Sequence, residues 1–366
     1  MNSLMTKSVA VLSLLLPLAA LAKPDLSRLQ VPSGYSLSLF ADNVENARQI
    51  AVSKQGIVYV GSRKAGKVHA LIDFNKDGVA DKTILLAEGL TMPSGLALKD
   101  GDLYVAAVDK ILRFKQIDKN LNSPSYDVFY DKLPDKRHHG WKFIRFSPEG
   151  ELIIPIGAPC NVCKEEAPFG EIVALNLETK TLKTWAKGVR NSVGFDFHPE
   201  TQGFWFSDNG RDMMGDDIPP CEINRLNDIG DHFGFPYFHA GGIPDPEFNA
   251  GRKASEFVAP KLALGAHVAP LGIHFYRGKQ FPQQMKNKLF VAEHGSWNRS
   301  KKSGYRVMLA TVKDGQITGY EPFITGFMKD EQTYGRPVAF AELEDGSLLV
   351  SDDFADAIYR ISYNKK

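Results

Sequence analysis

Cations, imidazoles and indoles recur in short clusters along this chain. They are His138-His139-Gly140-Trp141, Arg190-Asn191, His294-Gly295-Ser296-Trp297-Asn298-Arg299 and Gly335-Arg336, with Arg48, Arg63 and His267 standing apart. Arginine offers a planar fork of donors that matches a carboxylate, and an indole offers a stacking face. An imidazole can take a proton near neutral pH. Gathered in one place, such a set would suit a planar, polyanionic ligand with a proton transfer beside it; taken singly, each is as readily a solvated side chain on a surface loop. Two oxygen-rich stretches add candidate cation ligands. Asp73, Asn75, Asp77 and Asp81 follow the D-x-N-x-D-G-x-x-D spacing of a calcium loop, whose alternating oxygens suit a hard cation. Ile84 stands where the bidentate acid would be, so a bare Asp-Gly turn is the simpler expectation. The segment from Asp208 to Asp217, with Glu222, could hold a cation through backbone carbonyls and a carboxylate.

The elements that must position these clusters are strands. A phrase of two short apolar alternations around a Gly-, Asp- or Pro-containing turn recurs at residues 49–62, 95–108, 143–158, 194–210, 272–295 and 338–353. Each copy reads as a β-hairpin, because period-two patterning buries one face of each strand. Third strands follow several copies, as in KVHALID, KILRFK, EIVALNL and AIYRISY. The early copies start about 45 to 50 residues apart, the spacing of a four-stranded propeller blade. The expected fold is all-β: a six-bladed β-propeller, with a long loop excursion (211–270) between blades four and five. In a propeller the first strand of each blade lines the channel, so residues preceding equivalent first strands gather at one mouth. That phase selects Arg48, Pro93-Ser94, His138 to Trp141, Arg190-Asn191, His267 and Gly335-Arg336. The turns ending the second strands return to the same mouth with Arg63, Ala158-Pro159-Cys160, Asn209-Gly210-Arg211, the run from His294 to Arg299, and Asp352-Asp353. Loops on a rigid scaffold often carry function.

Lys7, the apolar run from Val9 to Leu21 and the ending Ala20-Leu21-Ala22 predict a secretory signal peptide over 1–22. A single propeller domain over 23–366 would follow it, periplasmic or secreted. The apolar core of the signal peptide is shorter than the roughly 20 residues of a spanning helix, and no later stretch is long and apolar enough to span. With 44 Lys plus Arg against 43 Asp plus Glu, no net field would draw nucleic acid or an anionic membrane, and a small-molecule partner fits better. Cys160 and Cys163 could close a local disulfide in an oxidising compartment, with zinc as the rival, leaving Cys221 odd.

Several motifs together, HHGWKFIRFSPEG with IGAPCNVC, GVRNSVGFDFHPETQGFWFSDNGRDMMGDDIPPCEIN, LFVAEHGSWNRS and GRPVAFAELEDGSLLVSDDFADAIYRISY, mark a resemblance over nearly the whole mature chain. The chain resembles the soluble pyrroloquinoline-quinone-dependent sugar dehydrogenases, relatives of soluble quinoprotein glucose dehydrogenase, in their sorbosone dehydrogenase-like branch. The resemblance implies an oxidoreductase acting on a sugar or related aldehyde or alcohol, with pyrroloquinoline quinone over the channel mouth and an unidentified electron acceptor. It implies His139 as general base, with His138 its less apt neighbour, and Arg190 polarising the quinone carbonyl. Asn191, Trp297 and Arg336 would lie in the cofactor site, Arg336 on a quinone carboxylate, with Arg299 or Lys302 as a further cation. Carbonyls of Gly210 and Arg211, with Glu222, would serve calcium.

The sequence departs from the glucose-oxidising members at two places. Ala158 stands where they carry an Asp that orients the base, and Met92-Pro93-Ser94 stands where they carry a Gln. Two other functions stay open: a calcium-dependent lactonase-type hydrolase, and a non-catalytic ligand-binding propeller.

Overall fold

The computed structural model describes residues 24–364, so the expected signal peptide lies outside the described residues. Each of the six phrases folds as an antiparallel hairpin and extends to a blade. The inner strands are Ala47–Val52, Gly95–Lys99, Arg145–Phe146, Phe195–Phe197, Pro270–Phe275 and Pro337–Glu342. Each opens a sheet of four or five strands, which makes the six-bladed β-propeller expected from the repeat. Second strands such as Val58–Ser62, Leu152–Ile156 and Phe204–Asp208 are buried along their whole length, because blades pack on both of their faces. Between blades three and four, for example, Phe143, Trp185, Phe195, Phe204, Phe206 and Phe233 form one apolar cluster.

Two features of the ring were not read from the repeat. The outer strand of blade six is Tyr35–Ala41, from the other end of the domain, which pairs antiparallel with Ala357–Tyr363 and closes the circle. Closure leaves the ring without an open seam, and Tyr35 packs edge-on against Phe281, Phe323 and Tyr363. The excursion belongs within blade four rather than between blades four and five. It leaves after Pro220–Arg225 and returns as that blade's outer strand, Leu262–Ala266. On the way Asp231–His232 adds a short parallel strand to blade three.

Around the channel, polar side chains of the first and second strands tie neighbouring blades together. The hydroxyl of Ser207 donates to the Leu271 carbonyl at 2.6 Å and that of Ser351 to the Arg48 carbonyl at 2.7 Å. Gln49 donates to the Ile144 carbonyl at 2.7 Å and accepts from the amides of Leu96 and Ile144. Adjacent backbones come so close that a Cβ on Gly194 would lie 2.2 Å from the Leu271 carbonyl oxygen. At the end of the channel away from the His139 loops, fully buried Asp196 pairs with Arg145 and, at 2.8 Å, with Arg277. These three residues rivet blades three, four and five, and so hold the opposite mouth in shape.

Candidate functional site

The phase argument is met by a cavity of about 330 Å³ at one mouth of the channel. Its lining includes Arg48, Arg63, His139, Trp141, Arg190, Asn191, Gly210, His267, His294, Trp297 and Arg336, drawn from all blades but the second.

His139 occupies the left-handed region (φ 49°) and is 8% exposed. Its Nδ1 lies 2.8 Å from the Ala158 carbonyl oxygen. A carbonyl can only accept, so Nδ1 carries the proton in the neutral ring and Nε2 keeps its lone pair. Burial, and then the charge of Arg190, hold the imidazole well below its usual pKa, so the ring is neutral at pH 7. Gly157 makes this seat possible: a Cβ there would sit 2.6 Å from the His139 Cβ. His138 packs on His139 with ring centroids 4.1 Å apart.

Arg190 is buried and heavily claimed. Its Nε donates to the Asn161 carbonyl at 2.8 Å and Nη1 to the Asn209 carbonyl at 3.1 Å, while Nη2 reaches Asn161 Oδ1 at 2.9 Å and Asp212 at 3.4 Å. Its amide and that of Asn191 both donate to the Asp208 carboxylate. The sequence offered no spacing signal for Asn161 beyond its place between two cysteines, and Asp212 stood out only as one acid of the oxygen-rich Asp208 to Asp217 segment. The Cys160–Cys163 disulfide is present, and Cys221 is free and buried.

Three further guanidinium groups, of Arg48, Arg63 and Arg336, line the same cavity as His139. Arg48 is neutralised by Asp353 at 2.8 Å, which also accepts from His294 Nε2 at 2.7 Å. Burial pushes His294 down to about 4, with the pull of Asp353 opposing it. Arg336 donates to the carbonyls of His294 and Gly295. Arg63 sits over Trp141, its Cζ 3.7 Å from the ring centroid, and its buried Nε has no hydrogen-bond partner among the described residues. Burial, reinforced by repulsion from Arg48, pushes Arg63 down to about 10. Trp297 stands at the rim, 70% exposed.

Other expected residues sit elsewhere. Arg299 is not in the lining, and its guanidinium serves Asp216, Lys301 and, at 2.9 Å, Asp217. Lys302 is likewise outside, bonded to Glu331 and to Thr333 at 3.1 Å. Both tie mouth loops together. The Arg211 side chain turns into the excursion to pair with Asp245. Glu222 is buried beside Asp208 across the strand pair and accepts from Asn224 and Ala240; burial and the neighbouring Asp208 push it up to about 7. The carbonyl oxygens of Gly210 and Arg211 accept no hydrogen bond from the described residues. On blade one, oxygens of Asp73, Asn75, Asp77 and Asp81 accept from the loop's own amides. Among the described residues no cluster of three or more His, Cys, Asp or Glu is arranged to hold a metal.

Residues 22–360 match the model of a family described as a domain of unknown function (DUF7133). An uncharacterized protein of Borreliella burgdorferi is 38% identical over 356 residues, spanning 93% of this chain and 92% of its own. Among solved structures, the calcium structure of Trichoderma reesei carbohydrate-active enzymes family AA12 superposes with a TM-score of 0.80 at 19% identity, covering 92% of this chain and 97% of that one. The holo form of the PQQ domain of pyranose dehydrogenase from Coprinopsis cinerea gives 0.79 at 16%, covering 94% and 99%. The PQQ-bound aldose sugar dehydrogenase of Streptomyces coelicolor gives 0.65 at 17%, covering 91% and 99%. At these identities the likeness establishes a shared fold.

Proposed function

The chain belongs to the DUF7133 family, and we propose that this member is a quinoprotein oxidoreductase that oxidises a sugar or related aldehyde or alcohol with pyrroloquinoline quinone. One observation carries this: Arg48, Arg63 and Arg336 line one cavity with His139, and the buried Nε of Arg63 has no partner among the described residues. An unsatisfied buried donor is costly, so the position is suited to an anionic acceptor that the protein itself does not supply. A planar polycarboxylate fits that donor set, with Arg63, Arg48 and Arg336 taking its carboxylates and Trp297 covering its face. Arg190 would point its remaining N–H at a carbonyl of the same ligand, and the free carbonyls of Gly210 and Arg211 would ligate calcium. The quinone, when bound, supplies the electron-pair acceptor. The protein would supply the rest: His139 Nε2 would take the hydroxyl proton while Nδ1–H stays on the Ala158 carbonyl, and the Arg190 guanidinium would place positive charge beside the acceptor. A lactone-opening propeller wants carboxylates around its metal, and Asp212 alone among the lining residues is one. The predicted signal peptide and the Cys160–Cys163 disulfide suit a periplasmic or secreted site of action.

The test is to add the quinone and calcium to the purified protein and follow dye reduction with a panel of aldoses and related aldehydes. Quinone-dependent turnover that disappears in His139→Ala is expected. Turnover that survives His139→Ala unchanged would contradict the assignment of the base.

A further inference from the structure

Asn161 gives its hydrogen bonds to blade four although it belongs to blade three. Oδ1 accepts from Arg190 Nη2 at 2.9 Å and from the Asp212 amide at 2.8 Å, and Nδ2 donates to the Asp212 carbonyl at 2.9 Å. Its own carbonyl accepts from Arg190 Nε at 2.8 Å. One side chain and its carbonyl therefore hold two separate pieces of blade four, the lead into the inner strand and the loop after the second strand. Asn161 itself lies in the loop closed by the Cys160–Cys163 disulfide, so its backbone is fixed on both sides. Asn161 and Asp212 claim Nε and both Nη2 hydrogens of Arg190, and Asn209 takes one on Nη1. A guanidinium has five N–H bonds, so one, on Nη1, is not claimed by any of the described residues.

We propose that Asn161, held by the Cys160–Cys163 disulfide, is a positioning residue that fixes which N–H of Arg190 is offered to the ligand. The catalytic part of this rests on the quinoprotein proposal above; the clamp itself does not. Without Asn161 the guanidinium could swing about its side-chain torsions, and a donor displaced by about 1 Å costs on the order of 100-fold in rate.

The experiment compares wild type with Asn161→Ala and Asn161→Asp in the full oxidised chain, using three readouts. The first needs no quinone: labelling of Arg190 by phenylglyoxal, followed by peptide mass spectrometry. The second is the dissociation constant for pyrroloquinoline quinone, and the third is kcat. Asn161→Ala should make Arg190 several-fold more reactive and lower kcat roughly 10- to 100-fold, with the dissociation constant changed far less. Asn161→Asp keeps both acceptor contacts but turns the Nδ2 donor into an oxygen facing the Asp212 carbonyl, so rate and protection should return to values between those of Asn161→Ala and wild type. Replacing Cys160 and Cys163 together by Ser should shift Arg190 labelling in the same direction as Asn161→Ala. Unchanged labelling in folded Asn161→Ala overturns the clamp, and increased labelling with unchanged kcat overturns its catalytic role. If wild type binds no quinone, the functional proposal fails and labelling alone decides the clamp. Should the Ala variant not fold, Asn161→Asp against Asn161→Gln, which moves the amide outward by one methylene, decides in the same way.

Discussion

His139 is held in place by the backbone of Ala158, whose carbonyl oxygen lies 2.8 Å from Nδ1. The turn beside the imidazole therefore offers it an oxygen, but an uncharged one. A carbonyl fixes the tautomer as a carboxylate would, without adding a negative charge to stabilise the imidazolium.

That difference has a pH signature. Burial and Arg190 lower the His139 pKa, so the imidazole proposed above as the base remains unprotonated as pH falls through the ordinary histidine value of about 6.5. The acid limb of kcat/KM should lie below pH 6.5. Placing a carboxylate on the turn, Ala158→Asp, should move that limb upward; a pH–rate series on both proteins checks it.

Gly157 is a second prediction. Its Cβ would meet the Cβ of His139 at 2.6 Å and the His139 carbonyl oxygen at 2.9 Å. Gly157→Ala should cost about 1–3 kcal/mol through overpacking and lower kcat at least tenfold by displacing the ring. Thermal melting and turnover, measured on the same preparation, check both halves.

Arg63 separates stability from binding. Its Nε is buried and unpaired, and Arg48 and Arg336 repel it. Arg63→Met removes a charge that burial and Arg48 oppose more than Asp353 supports it, and should leave the melting temperature unchanged or higher. It should weaken binding of a polycarboxylate roughly 10- to 100-fold, the loss of one charge-assisted bond of about 1.5–3 kcal/mol. Calorimetric titration and a melting curve together check the pair of outcomes.

Much of this was legible in the sequence. Period-two patterning in phrases such as GLALKDGDLYVAAV encodes the hairpins, and their phase brought Arg48, Arg63, His139, Arg190, His294 and Arg336 to one mouth, as the cavity lining bears out. Ring closure was not legible, because YSLSLFA pairs with a strand more than 300 residues away and no local pattern encodes that partner. The same holds for Asn161, whose partners lie on another blade. Arg299 and Lys302 carried the right charge for the cavity, yet side chains on mouth loops can as readily tie those loops to one another, and here they do. The outer strand of blade four was hidden because the chain reaches it only after the excursion.

The far end of the channel gives a stability prediction. Asp196 is fully buried between Arg145 and Arg277; burial opposes its charge, but the two arginines prevail and hold it down to about 2. Its folded pKa is below the unfolded value of about 3.8, so its contribution is present above that pH and is lost as pH falls through 2. Asp196→Ala should destabilise the domain by about 3–5 kcal/mol at neutral pH, since two cations lose their shared partner. Urea denaturation at pH 7 checks the magnitude.

The central claim, that the mouth built from Arg48, Arg63, Arg336 and His139 is a quinone site, is tested most directly by titrating pyrroloquinoline quinone into the purified protein with calcium present. One equivalent should bind to wild type, and binding should weaken at least tenfold in Arg63→Met. Absence of saturable binding to folded wild type, or equal affinity in the variant, would contradict it.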